Sequence, residues 1–190
     1  TYYLKNGDVK YGLNVEGNRT IFEFYNKFRQ LIDQNQNTTD LGAYFHVHKV
    51  FNRFVIEAGG RLQYYGNIQA ISPEPRLSMK YSITDYLRLK VAGGMYSQNF
   101  ISTKSDKDVV NLFNGFITGP DESLENNTGK EIKKNMQRSV HAIFGAELDL
   151  PYNITFNIEP YYKYLWNVIN INRYKQFTSD PNFQVETGNS

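Results

Sequence analysis

The stretch TDLGAYFHVHKVFNRFVIEAGGRLQYY, residues 39–65, decides how this chain is read. Leu41, Ala43, Phe45 and Val47 alternate with Gly42, Tyr44, His46 and His48. After Phe51-Asn52 the pattern resumes, with Phe54, Ile56, Ala58, Gly60, Leu62 and Tyr64 on one face and Val55, Glu57, Gly59, Arg61, Gln63 and Tyr65 on the other. Alternation at period two sends successive side chains to opposite faces of a strand. Strands in soluble domains average about five or six residues. These runs are roughly twice as long and match the ~9–11 tilted residues with which a strand crosses a bilayer.

The same grammar extends in both directions. Thr1–Leu4 reads as the tail of a strand, and Lys5-Asn6-Gly7-Asp8 as a tight turn, because Asn-Gly tolerates positive φ. Val9, Tyr11, Leu13 and Val15 then alternate with Lys10, Gly12, Asn14 and Glu16, with Thr20–Tyr25 as a possible extension. Leu77, Met79, Tyr81 and Ile83 alternate with Arg76, Ser78, Lys80 and Ser82. Thr84-Asp85 turns the chain into Leu87, Leu89, Val91, Gly93 and Met95. Val140–Leu148 and Ile154–Trp166 form the last pair around Pro151-Tyr152, and Pro160 predicts a bulge or a locally open ladder because proline cannot donate. Four polar stretches, 26–38, 66–72, 97–137 and 167–190, read as long loops on one side, opposite short turns on the other. The expected fold is all-β: an antiparallel transmembrane β-barrel wall of about eight strands, with short periplasmic turns and long extracellular loops.

Composition agrees and narrows the classes. No run of about 18 apolar residues occurs, which excludes a helical membrane protein. Fifteen Tyr and thirteen Phe suit aromatic girdles at the membrane surfaces, with Tyr64, Tyr81, Tyr86, Tyr162, Tyr164 and Trp166 near strand ends. A net charge of +2 without a basic run argues against nucleic acid as a partner. The start at Thr1, with no signal-like segment, and the polar end at Thr187–Ser190 suggest a processed start or a piece of a longer chain.

The two faces have distinct chemistry. Glu57, Arg61, Arg76, Lys80, Arg88, Lys90, Glu147, Asp149, Glu159 and Lys163 share the polar face, whereas the apolar rows carry no charge over the same strands. In a barrel the apolar rows meet lipid and the charged rows line the lumen, touching a plug or one another.

The segment from Pro73-Glu74-Pro75-Arg76-Leu77-Ser78-Met79-Lys80-Tyr81 through Thr84-Asp85-Tyr86-Leu87-Arg88-Leu89-Lys90 resembles a barrel hairpin of TonB-dependent outer-membrane receptors. Its ending, Gly93-Gly94-Met95-Tyr96-Ser97-Gln98, is similar too, as are Ala58-Gly59-Gly60-Arg61-Leu62, Gln137–His141 leading into Gly145-Ala146-Glu147, Glu159–Lys163 and Phe183–Gly188. The resemblance implies a barrel of about 22 strands around an N-terminal plug, importing a scarce nutrient across the outer membrane with energy passed by TonB. The chain, 1–190, would then be a partial barrel domain lacking plug, TonB box and most strands. Implied partners are outer-membrane lipid, the plug, the TonB system and a surface-exposed substrate-binding lipoprotein. Two other readings stay open: a small stand-alone outer-membrane barrel acting as anchor or adhesin, and a soluble carbohydrate-binding β-sandwich.

Candidate sites follow from residue type. Nothing resembles a catalytic constellation, so neither enzyme activity nor a cofactor is expected. Phe113, Phe116, Asp121 and Glu122 give the longest loop aromatic and acidic handles for a ligand. His46 and His48, spaced i, i+2, and His141 share the polar face and are weak candidates for a metal, since ordinary hydrogen bonding explains them as well.

Overall fold

A computed structural model describes residues 1–103, 115–121, 124–125, 131–132 and 136–185. Six strands come first: β1 (Tyr2–Leu4), β2 (Gly7–Tyr25), β3 (Leu31–Phe51), β4 (Phe54–Tyr65), β5 (Ala70–Ser82) and β6 (Leu87–Gln98). Four short ones, β7 (Phe100–Ser102), β8 (Phe116–Thr118), β9 (Leu124–Glu125) and β10 (Glu131–Ile132), lead to β11 (Gln137–Leu150), β12 (Ile154–Ile158) and β13 (Tyr161–Trp166). A last ribbon pairs β14 (Ile169–Ile171) with β15 (Phe183–Val185). Among the described residues, β1 to β6 and β11 to β13 form one antiparallel sheet in which consecutive long strands are neighbours. Its two ends are β1 and the β12–β13 strand, and no described ladder joins them.

The registers turn the alternation into rows. Val9, Val47, Ala58, Leu77, Gly93, Ala142 and Tyr162 lie side by side across the sheet, and Leu13, Ala43, Leu62 and Pro73 form another apolar row. These rows are open: Leu13 is 83% exposed, Leu77 58% and Leu62 52%. Burying one such side chain is worth about 1.5–3 kcal/mol, so this face is unfavourable in water.

Along β2 and β3 the apolar face changes sides. Val9, Tyr11, Leu13 and Val15 project to the open face, but Thr20 and Phe22, on the opposite face, are buried. In β3 the partners behave alike: Val47, Phe45, Ala43 and Leu41 share the open face, whereas Ile32, Gln34, Thr38 and Asp40 are buried on the other. The exchange falls near the pairs Glu16↔Asp40 and Gly17↔Thr39, where β4 ends against Asp40 at Tyr65. Beyond that row Phe22, Ile32, Ile101, Ile117, Leu124, Ile169, Ile171 and Phe183 form a hydrophobic cluster.

Several expected boundaries need correction. Residues 26–38 are not a long loop, because the chain turns at 26–30 and β3 begins at Leu31. The side chain of Gln34 donates to the Thr118 carbonyl at 2.8 Å, and the Thr20 and Thr118 hydroxyls are hydrogen bonded. Residues 66–72 likewise shrink to a four-residue turn, 66–69, before β5. Residues 97–137 and 167–190 are not wholly loop: β7, β8, β14 and β15 form ribbons within them. At Pro160 the ladder opens without a bulge, since Ala146↔Ile158 and Ile143↔Tyr161 keep one register and the Phe144 N–H donates to the Pro160 carbonyl at 3.1 Å. The turn at Lys5-Asn6 exists, but neither Asn6 nor Gly7 has positive φ. Gly7 answers a packing demand instead, as a Cβ there would run into the His48 carbonyl.

The cluster beyond the exchange row should hold the β2–β3 hairpin in place. Ile32→Ala, at a fully buried position, is expected to weaken it by about 2–5 kcal/mol. The change should appear as faster proteolytic nicking at residues 26–30, with the body of the sheet still protected. At Asp180 the carboxylate accepts the Gln176 and Phe177 N–H groups, both at 2.9 Å, which holds its acid form below the usual carboxylate range. This contribution is complete above the ordinary value near pH 4 and lost as pH falls through the lowered one. Protection of the Gln176 and Phe177 amides, taken relative to their intrinsic exchange, should therefore fall only in acid.

Candidate functional site on the polar face

On the polar face the strand registers bring charges from three strands, and Glu159 from the β12–β13 connection, together. Lys80 in β5 lies directly opposite Lys90 in β6, an unfavourable pairing of like charges. Glu147 in β11 resolves it: its carboxylate lies 2.5 Å from Lys90 Nζ and 3.5 Å from Lys80 Nζ, and accepts Arg88 Nε at 2.6 Å. Arg88 Nη2 also donates to Asp149 at 2.5 Å, and Lys90 to Glu159 at 3.2 Å. Gly145 makes room, because a Cβ there would press on Glu159 Cγ at 3.1 Å and Lys90 Cβ at 3.4 Å. Three cations thus meet three carboxylates. Six of the polar-face residues named from the sequence, Lys80, Arg88, Lys90, Glu147, Asp149 and Glu159, make up this one neutral cluster near the short-turn end.

The others lie further along the strands. Arg76 Nη2 donates to Glu74 at 3.0 Å, and its guanidinium lies 4.6 Å from the Tyr96 ring centre. Tyr96 in turn stands 4.6 Å from the His141 ring. Glu74, only 3% exposed, also accepts the Ser97 N–H and hydroxyl at 3.0 and 2.7 Å. Arg61 lines a groove of about 410 Å³ with Tyr44, His46 and Arg76. Glu57 accepts the Ser78 hydroxyl at 3.3 Å and stands 4.0 Å from His46. Lys163 faces His141 across the β11–β13 ladder.

The histidines are separated. His48 Nδ1 is 3.1 Å from Asp8, His46 is next to Glu57, and His141 belongs to a strand four places from that of His46. Among the described residues no group of three or more His, Cys, Asp or Glu side chains is placed to hold a metal ion. Of the loop candidates, Phe113 and Glu122 lie outside the described residues. Phe116 is 70% exposed on β8, on the side away from buried Ile117, and Asp121 is exposed as well.

Sequence reading missed Glu74, Tyr96 and the hairpin tip. Glu74 has the parity of Arg76, so its face was legible, but its burial depends on Ser97 from the neighbouring strand. At the tip Lys27 Nζ lies 4.9 Å from the Phe28 ring and 4.5 Å from that of Tyr174, and Asn26 donates to the Lys175 carbonyl at 2.7 Å. No short-range pattern announces a contact across that separation.

Glu147 is the shared acceptor of three cations, so Glu147→Gln is expected to destabilise the protein by about 1–3 kcal/mol and to do so more than Glu159→Gln. A double-mutant cycle with Lys90→Gln, read by denaturant unfolding in detergent, should show strong non-additivity. No family model, curated protein or solved structure matches the chain.

Proposed function

We propose that the chain forms part of the wall of an outer-membrane β-barrel, within a TonB-dependent receptor that imports a scarce nutrient. The observation that carries the membrane reading is the exchange of apolar face along β2 and β3. Val15 and Leu41 are open to the surroundings, whereas Phe22 and Ile32, further along the same strands, are buried on the opposite face. A sheet wholly in water has no reason to reverse its inside and outside midway. A sheet that leaves the hydrocarbon at that row does. Strand length supports the same reading, and so does the charged face opposite Leu62 and Leu77. A soluble sandwich needs a second sheet over that apolar face, and none covers it among the described residues.

The receptor assignment rests on the Pro73–Lys90 hairpin and its companion motifs. On this reading the partners are lipid on the apolar face, a plug on the charged face, TonB through the parent chain, and a substrate-binding lipoprotein over the outer loops. The polar-face ion pairs belong to a structural lumen wall, with no part in chemical catalysis.

Two substitutions on adjacent residues test the membrane reading. Leu77→Arg places a charge on the lipid face and should destabilise the protein in lipid vesicles by about 2–4 kcal/mol, against less than about 1 kcal/mol for Ser78→Arg. Fluorophores on Leu77→Cys and Ser78→Cys should divide likewise, the first quenched by brominated lipid and the second by iodide. Equal quenching at both positions would sink the barrel. Binding of the outer-membrane protein to the periplasmic domain of TonB tests the receptor separately; failure there would leave a barrel without that function.

A further inference from the structure

The neutral cluster around Glu147 does not absorb all the charge on the polar face. One row of the sheet sets Lys10, His46, Arg76, His141 and Lys163 side by side, with Gly59 and Gly94 as its remaining members. Every side chain in this row is basic. Lys10 and His46 have acidic neighbours in Asp8 at 3.6 Å and Glu57 at 4.0 Å. At the other end, His141 Nε2 is enclosed with no hydrogen-bond partner among the described residues.

Arg76 is the best-organised member. Glu74 grips one edge of its guanidinium, the Tyr96 ring supports its flat face, and the side chain is still 47% exposed. Gly94 permits this arrangement, since a Cβ there would meet Arg76 Cγ and Tyr96 Oη, both at 3.2 Å. The free side of Arg76 borders a hollow of about 270 Å³ whose lining includes His46, Glu57, Ser78, Tyr96 and His141. Glu57 does not neutralise Arg76, because it is engaged by Ser78 and stands beside His46.

We propose that this hollow binds the carboxylate or phosphate group of a small anionic solute. The planar guanidinium presents two parallel donors to such a group, and a fork already held in place loses little freedom on binding. His141 lines the hollow and stands against the Tyr96 ring that supports Arg76, so it acts on the site through that ring. The inference rests on the barrel reading for the solute's route to this face, and it gives the imported nutrient a chemical class. The site itself needs only the polar face of the sheet.

The test uses the full-length protein in detergent at low ionic strength, titrated calorimetrically with inorganic phosphate and, separately, with citrate. Saturable binding is expected, and the tighter of the two probes identifies phosphate or carboxylate as the preferred group. Arg76→Lys keeps a charge beside Glu74 but loses the planar fork, and should weaken binding roughly tenfold. His141→Gln should weaken it several-fold without disturbing Glu74, whereas Lys80→Gln, on the same face within the neutral cluster, should leave it unchanged. Absence of binding to the native protein, or equal losses in all three variants, would overturn the proposal. If anion binding persists while the lipid-quenching test at Leu77 fails, the barrel reading falls and the anion site stands.

Discussion

The solvent facing the open side of the sheet is the constraint on which the rest depends. Leu13, Leu62 and Leu77 project from rows that no other described element covers. Water is a poor medium for such a surface, which there would need a partner to cover it. Hydrocarbon reverses the sign. In lipid the same rows are the favourable surface, and every backbone polar group within the bilayer must then be paired along the ladder. The unbroken registers from β2 to β6 meet that demand over their shared length. Pro73 and Pro75 fit because β5 pairs with β6 only from Arg76 onward, so their missing donors lie where β5 has a single neighbour.

With one face apolar, the polar residues gather on the other, where charge density becomes the difficulty. The fold handles it in two ways. Near the short turns, carboxylates and cations are interleaved until the cluster is neutral, with Gly145 providing the space. Further along, Arg76 is supported on a ring and a buried carboxylate but retains an open side. Neutralised charge stiffens a wall. A held cation with an open side suits recognition.

Much of this was legible in the sequence, and the reasons are physical. The faces of Leu41–Val47, Phe54–Tyr64 and Leu77–Tyr81 follow from parity alone, which a single residue of slip would invert. The charged residues from Glu57 to Lys163 that alternation groups together share one face of the sheet, as parity requires. What parity did not show is the hairpin above the exchange row. There Gln34, Thr38 and Asp40 are buried, so burial alternates while hydrophobicity does not, and a reading based on apolar residues takes the segment for loop. The Arg76, Tyr96 and His141 stack was hidden for another reason, since it joins three strands and emerges only once their registers are set.

The most direct measurement is methyl relaxation in lipid nanodiscs containing a chain-labelled nitroxide lipid. Strong broadening is expected at the Leu13 and Leu77 methyls and little at Ile21, which shares the outward face of β2 with Leu13 but lies beyond the row where the apolar face changes sides. Equal broadening at Leu13 and Ile21, or broadening of Leu13 by a water-soluble relaxation agent instead, would contradict the membrane reading.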